Sequence, residues 1–238
     1  FKIWYTRFNQ LNESEDIKMD ILETMKARHS VRQYKNQAIE SSKREKINAL
    51  IKDVNAESKL SIQVFYDEPK CFDSFMAHYG KFENVKNYIA IVGNKNDQEK
   101  AGYYGEKIVL KCQKLGLNTC WVAMTHGKSK AQIKRGQKLL IIISLGYGET
   151  QGVPHKSKSI AELGQADQKN EWFEKGMEAV SLAPTAVNQQ KFYFELKNGI
   201  VTAKNLGGFY SRIDLGIVKY HFEAVTGHEV KQCRTLLS

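Results

Sequence analysis

Cysteine is sparse in this sequence. Its four copies (Cys71, Cys112, Cys120 and Cys233) stand far apart, with no C-x-x-C pair and no histidine at metal-ligand spacing. That argues against a disulfide scaffold and against a zinc site, so no metal ligands are expected. The expectation is reduced thiols, some of them core residues, in a cytoplasmic protein. Long apolar runs are missing too. A membrane span needs roughly 18 consecutive apolar residues, whereas Leu139, Leu140, Ile141, Ile142 and Ile143 stop at Ser144, a length that suits a buried strand. Residues 1–18 lack the apolar stretch and small-residue cleavage site of a signal peptide. They are set aside as a leader or non-native extension, with Met19 a candidate start.

Two catalytic signatures are absent as well. Gly146, Tyr147 and Gly148 follow an apolar run, but the next glycine comes at Gly152 and no amphipathic helix opens there. The dinucleotide fingerprint therefore fails. The six histidines (His29, His78, His126, His155, His221 and His228) are scattered, and no acid–serine–histidine order stands out.

What is present is an ordinary globular composition, 42% hydrophobic and 26% charged, in a chain of 238 residues long enough to bury a core. The formal net charge of +10 suits a polyanionic partner or a site for a phosphate-bearing cofactor, and charge alone does not separate them. Helical and strand-like patterns alternate along the chain. Asp20 and Glu23 have the spacing of a capping box, opening a helix with Ile21, Leu22 and Met25 on one face. A second helix starts near Ser42, with Ile47, Leu50, Ile51 and Val54 in one stripe. Strands are expected at 61–66 and 88–92. Asp97 is placed as the cap of a third helix, which Gly116 ends. Further strands follow at 119–124 and 139–145, then a loop at 146–158 and a helix near 170–182. Two strands flank Asn198 and Gly199, a hairpin signal, and a last helix spans 213–226. This mixture favours α+β. Gly105 and Gly116 echo Gly216 and Gly227 at the same spacing of 11, and residues 46–65 echo 175–194. Together they hint at two related halves.

Two segments carry chemistry. Arg28, His29, Ser30, Val31 and Arg32 set two guanidinium forks around a hydroxyl just past a helix, which matches phosphate oxygens. Taken alone, the segment reads equally as a solvated helix C-terminus. Between a helix and a strand, Ala183, Pro184, Thr185, Ala186, Val187, Asn188, Gln189 and Gln190 offer neutral donors and acceptors that can read the edge of a flat heterocycle. Taken alone, it reads as a polar loop.

Residues 21–34, with their Arg-x-Ser-x-Arg-x-Tyr core, resemble the opening signature of the nitroreductase (flavin reductase) family. Residues 183–192 resemble its Pro-Ser-Ser-x-Asn-x-Gln-Pro-Trp segment. Residues 105–122 are similar to its central helix and Gly-Leu-Gly-Thr-Cys-Trp strand, and Leu145 to Gly148 with Pro154, Lys156 and Lys158 resemble its late strand and basic loop. The resemblance spans about residues 20–227. It implies an α+β nitroreductase-like fold, a central mixed or antiparallel sheet flanked by helices, and FMN as cofactor. It also implies hydride transfer from NAD(P)H through the flavin to a nitro-compound, quinone or similar acceptor, with no catalytic side chain required. By resemblance Arg28, Ser30, Arg32, Lys156 and Lys158 hold the flavin phosphate, with His29 contributing mainly backbone. Pro184, Thr185, Asn188 and Gln190 line the ribityl chain and ring, and backbone near Met124 and Thr125 approaches flavin N5. Phe72, Phe75 and Tyr79 are candidates for the substrate side.

The order of the motifs departs from the family's. The Pro-Ser-Ser-type segment ordinarily follows the arginine loop shortly, where residues 53–61 stand here, but it appears in the second half instead. The implied arrangement is a monomeric pseudo-dimer resembling the family's single-chain branch. Residues 19–160 form the first half, and 161–238 form a shorter second half that completes the flavin site, with one FMN per chain. Neither nucleic acid nor membrane is expected as a partner. Two rival readings stand beside this one: a non-catalytic flavin store or sensor, and a basic nucleic-acid-binding protein with interleaved aromatics.

Overall fold

The computed structural model describes residues 20–232. Residues 1–18 and Cys233, both named above, lie outside the described residues. The elements run α1 (Ile21–Ala27), α2 (Ser41–Ser58), β1 (Ser61–Phe65), α3 (Phe75–Tyr79), β2 (Asn87–Gly93), α4 (Gln98–Lys114), β3 (Asn118–Val122) and β4 (Lys138–Gly146). They continue with α5 (Ile160–Leu163), β5 (Gly164–Ala166), α6 (Glu171–Ser181), β6 (Phe192–Lys197), β7 (Ile200–Asn205), α7 (Ser211–Thr226) and β8 (Val230–Gln232). The fold is α+β, with the strands divided between two four-stranded sheets. The first, β1-β2-β4-β3, is antiparallel throughout. The second, β5-β6-β7-β8, is mixed, because its two three-residue edge strands pair in parallel.

The apolar patterning explains the layers. On α2 the expected stripe is realised, with Ile47, Ile51 and Val54 buried. Strand β2 is buried on both faces. Ile89 and Ile91 join the main core shared with α4, α7 and the second sheet, while Tyr88 and Ala90 face a smaller cluster under residues 65–85. Asn198 and Gly199 both take left-handed φ (51° and 74°), as a tight β6–β7 turn requires. Gly116, at φ 73°, follows the end of α4 as expected. Two caps differ from the sequence expectation. Glu23 pairs with Lys26, and Asp20 makes no side-chain cap bond among the described residues. Asp97 turns back to the Asn94 N–H, closing the turn before α4 and leaving the α4 N-terminus uncapped.

Helices α4 and α7 form the most extensive contact between any two elements. They cross where neither carries a side chain. A Cβ on Gly102 would meet the Ile213 carbonyl and the Ile217 nitrogen, and one on Gly216 would meet the Glu99 carbonyl and the Tyr103 nitrogen. The contacts are reciprocal, since each partner lies 114 positions from its counterpart. Gly102 and Gly216 thus mark the close approach of the two helix backbones, 114 positions apart in sequence.

Candidate functional site

Residues 28–32 leave α1 in extended conformation and are sewn alongside β3. The Val31 N–H donates to the Thr119 carbonyl at 3.1 Å. The buried Tyr34 hydroxyl donates back to the Val31 carbonyl at 2.7 Å and sits 2.7 Å from Ser144 Oγ. The tyrosine of the motif therefore holds the loop's shape. A second loop packs on the first: Gly152, at φ 75°, leaves room where a Cβ would lie 2.8 Å from that of His29.

Ser30 and Arg32 from this loop line one cavity of about 360 Å³ together with Met124 and Thr125 after β3, and Pro184 and Thr185 after α6. Six of the residues predicted from sequence are thus brought to one space, from both halves of the chain. Sequence reasoning missed several walls of it: Trp121, Phe209, Tyr210, Ile213, Ile217 and Asp214. The segment behind the Pro184 wall is strained. Val187, Asn188 and Gln190 all take left-handed φ (47°, 53° and 46°), and Val187 is a β-branched residue 82% exposed. Strain of this kind collects at ligand clamps.

The other predicted flavin residues, Arg28, His29, Lys156, Lys158, Asn188 and Gln190, are not among those lining this cavity. Asn188 and Gln190 spend their side-chain amides on the basic loop. Both donate to the Lys156 carbonyl (2.9 and 3.0 Å), and Gln190 Oε1 accepts from the Lys158 N–H at 2.8 Å. Lys158 Nζ donates to the Gln190 carbonyl. These amides therefore pin Lys156 and Lys158 against the strained segment. His29 is half-buried, and burial together with Arg28 lowers its pKa. Of the substrate-side aromatics, Tyr79 lines the cavity and Phe75 is 82% exposed beside it. Phe72 does not reach the cavity, because it packs edge-on against Phe82 and Tyr88 in the smaller core cluster.

Arg28 is 3% exposed, and its Nε and Nη1 are buried with no hydrogen-bond partner among the described residues. Burial pulls its guanidinium below the ordinary arginine value, and Glu106 offsets this in part. Glu106 itself belongs to a satisfied cluster. Its carboxyl accepts from Trp121 Nε1 at 2.9 Å and meets His221 Nε2 at 3.0 Å, while His221 Nδ1 donates to the Ala179 carbonyl at 2.8 Å. Burial would raise the Glu106 pKa, but His221, Arg28 and Trp121 together hold it below the usual carboxylate value. On the cavity wall, burial pushes the Asp214 carboxyl up to about 6, against the Gln189 amide and the Ala186 N–H that donate to it.

The sequence matches the family described as "Putative TM nitroreductase" over residues 20–226. A crystal structure from Thermotoga maritima described as a "putative nitroreductase" is similar at 24% identity. The match covers 91% of this chain and 90% of that one, with a TM-score of 0.66, and the two share a fold. An FMN-dependent nitroreductase from Clostridium difficile matches at 21% identity over 59% of this chain and 92% of its own, with a TM-score of 0.43. A "putative nitroreductase in complex with FMN" from Desulfovibrio desulfuricans matches at 15% identity over 61% and 95%, with a TM-score of 0.48. No curated protein matches the chain.

Proposed function

The chain belongs to the family described as "Putative TM nitroreductase", and on that premise we propose an FMN-dependent oxidoreductase that moves hydride from NAD(P)H to a nitro-compound, quinone or similar small acceptor. Bound FMN would supply the redox chemistry itself. The chain's own part is to bind, orient and exclude water.

Arg28 carries the reading. A buried guanidinium with two unpartnered nitrogens is costly unless an anion completes it. Glu106 acts on Arg28 through space, but its carboxyl oxygens are met by Trp121 and His221 and do not bond those nitrogens. The donor set around Arg28 fits a phosphate: Ser30 and Arg32 stand on the same loop, and Lys156 and Lys158 are exposed on the loop that Asn188 and Gln190 hold. With FMN bound, His29 would contribute backbone, Pro184 and Thr185 would hold the ring, and backbone at Met124 and Thr125 would meet its redox-active edge. No side chain is assigned a catalytic role.

The reciprocal crossing of Gly102 and Gly216 supports a monomeric pseudo-dimer of halves 19–160 and 161–238 with one FMN per chain. Strand β5 pairs with β6 directly after that boundary. The buried free thiols of Cys71, Cys112 and Cys120 agree with a reducing, cytoplasmic setting. Among the described residues no helix is long and apolar enough to cross a membrane.

Anaerobic titration of the FMN-loaded protein with NADH and NADPH tests the activity. The expected result is bleaching of the flavin bands by at least one of them, and recovery on adding a quinone or nitro-compound. Bound flavin that neither nucleotide bleaches would contradict the oxidoreductase and leave a store or sensor.

A further inference from the structure

A second cavity, of about 540 Å³, adjoins the first and shares with it the aromatic wall of Phe209 and Tyr210. Its lining contains three cations from three elements: Lys95 before α4, Lys138 at the start of β4, and Arg212 in the first turn of α7. No acidic residue lines it. The acids nearest in sequence are engaged elsewhere, Asp97 with Lys100 and Asn94, Glu99 with Lys219, and Asp214 with Gln189 and the Ala186 N–H. None of the three cations has a hydrogen bond or ion pair within the described residues. Ser211 also lines the cavity. It is 7% exposed and opens α7. A serine hydroxyl beside three cations is a donor set for phosphate oxygens. The wall is held in place: Gly207, Gly208 and Tyr210 all take left-handed φ (81°, 122° and 53°), and the Tyr210 hydroxyl donates to the Ala123 carbonyl at 3.2 Å.

We propose that this basic cavity takes the phosphate-bearing arm of the dinucleotide reductant, while the shared wall leads its nicotinamide end into the flavin cavity. The proposal rests on the oxidoreductase reading and adds a substrate subsite to it. Ser211 and Arg212 donate to phosphate oxygens from α7, and Lys95 and Lys138 close the opposite side. No bond changes in this step. The subsite contributes binding, so its loss is read in KM.

The test compares wild type with the double variant Lys138→Gln/Arg212→Gln, using NADH, NADPH and a phosphate-free dihydronicotinamide such as the N-benzyl compound. FMN content serves as the check on folding, since both residues are exposed. The expected result is a KM for the dinucleotides raised about tenfold, the worth of a lost charge-assisted contact. The dinucleotide kcat should stay within about twofold, and the phosphate-free donor should show no change in kcat/KM. Inorganic pyrophosphate should compete with the dinucleotide in wild type and not in the variant. An unchanged dinucleotide KM in a flavin-loaded variant overturns the proposal. So does pyrophosphate binding that the variant abolishes without moving that KM, which would make the cavity a site for free polyphosphate. If wild-type flavin is bleached by none of the three donors, the parent reading has failed, and that result is distinct from both.

Discussion

Arg28 and Glu106 are both ions taken almost wholly out of water, and they lie near enough for each to bear on the other's ionisation. Glu106 is met on both oxygens, by Trp121 and by His221, and the histidine's other nitrogen is met by Ala179. Arg28 keeps two buried nitrogens with nothing to donate to among the described residues. A closed network of this kind joins α4, α6, α7 and the Trp121 wall and answers to the fold. On the proposed reading, the open one answers to a ligand. Sequence shows only an arginine after one helix and a glutamate inside another.

Breaking the closed network has the largest expected effect. Glu106→Ala leaves His221 and Trp121 Nε1 without their acceptor and should destabilise the chain by about 3–5 kcal/mol in chemical denaturation. Replacing both members of the pair with apolar residues of similar volume should cost much less. A double variant as unstable as the single one would mean that packing, not the unpaired charge, sets the penalty.

Asp214 lies between the two cases, accepting two N–H groups yet facing the cavity. Its pKa is raised from 3.8 to about 6 by burial, so the folded state binds the proton more tightly than the unfolded chain. The group's contribution to stability therefore rises as pH falls from 6 towards 3.8. Its cost, up to about 3 kcal/mol, is present in full above pH 6. In Asp214→Asn that pH-dependent part should vanish, seen as a loss of the acid-side gain when wild type and variant are melted across pH 4–8.

The crossing that brings Glu106 and His221 together is sharpened by Gly216→Ala, whose methyl group would overlap the Glu99 carbonyl. A loss of about 1–3 kcal/mol in unfolding free energy is expected, as for other overpacked sites. A neutral result would show that the helices can slide apart. The smallest stability effect belongs to Arg28→Met. Removing a buried guanidinium whose Nε and Nη1 have no hydrogen-bond partner among the described residues should leave the flavin-free protein within about 1 kcal/mol of wild type, or make it more stable.

Much of the frame could be read from residues alone. The α2 stripe, the doubly buried β2 and β4 runs and the Asn198–Gly199 turn are local patterns, and each folds as its pattern dictates. The short elements could not be read. Strands β5 and β8 are three residues long and owe their conformation to parallel partners far away in sequence, and α3 spans a single short turn. Of the site, the motif residues Ser30, Arg32, Pro184 and Thr185 do meet at one cavity. Glu106 was illegible because it lies off the apolar stripe of α4, on a flank met by α7 and by Trp121 of β3. Asp214 sits in the first turn of α7, where an acid is ordinary. Asn188 and Gln190 carry the expected polar chemistry, but their geometry directs it to the Lys156 and Lys158 backbone.

Binding of FMN against riboflavin tests most directly whether the buried Arg28 guanidinium, with its Nε and Nη1 open among the described residues, is there for a phosphate. Titrated by flavin fluorescence, wild type should prefer FMN by about ten- to a hundredfold. Arg28→Met should lose most of that preference while binding riboflavin as wild type does. A variant that keeps the full preference for FMN would contradict the account, and the buried guanidinium would then be a feature of the fold alone.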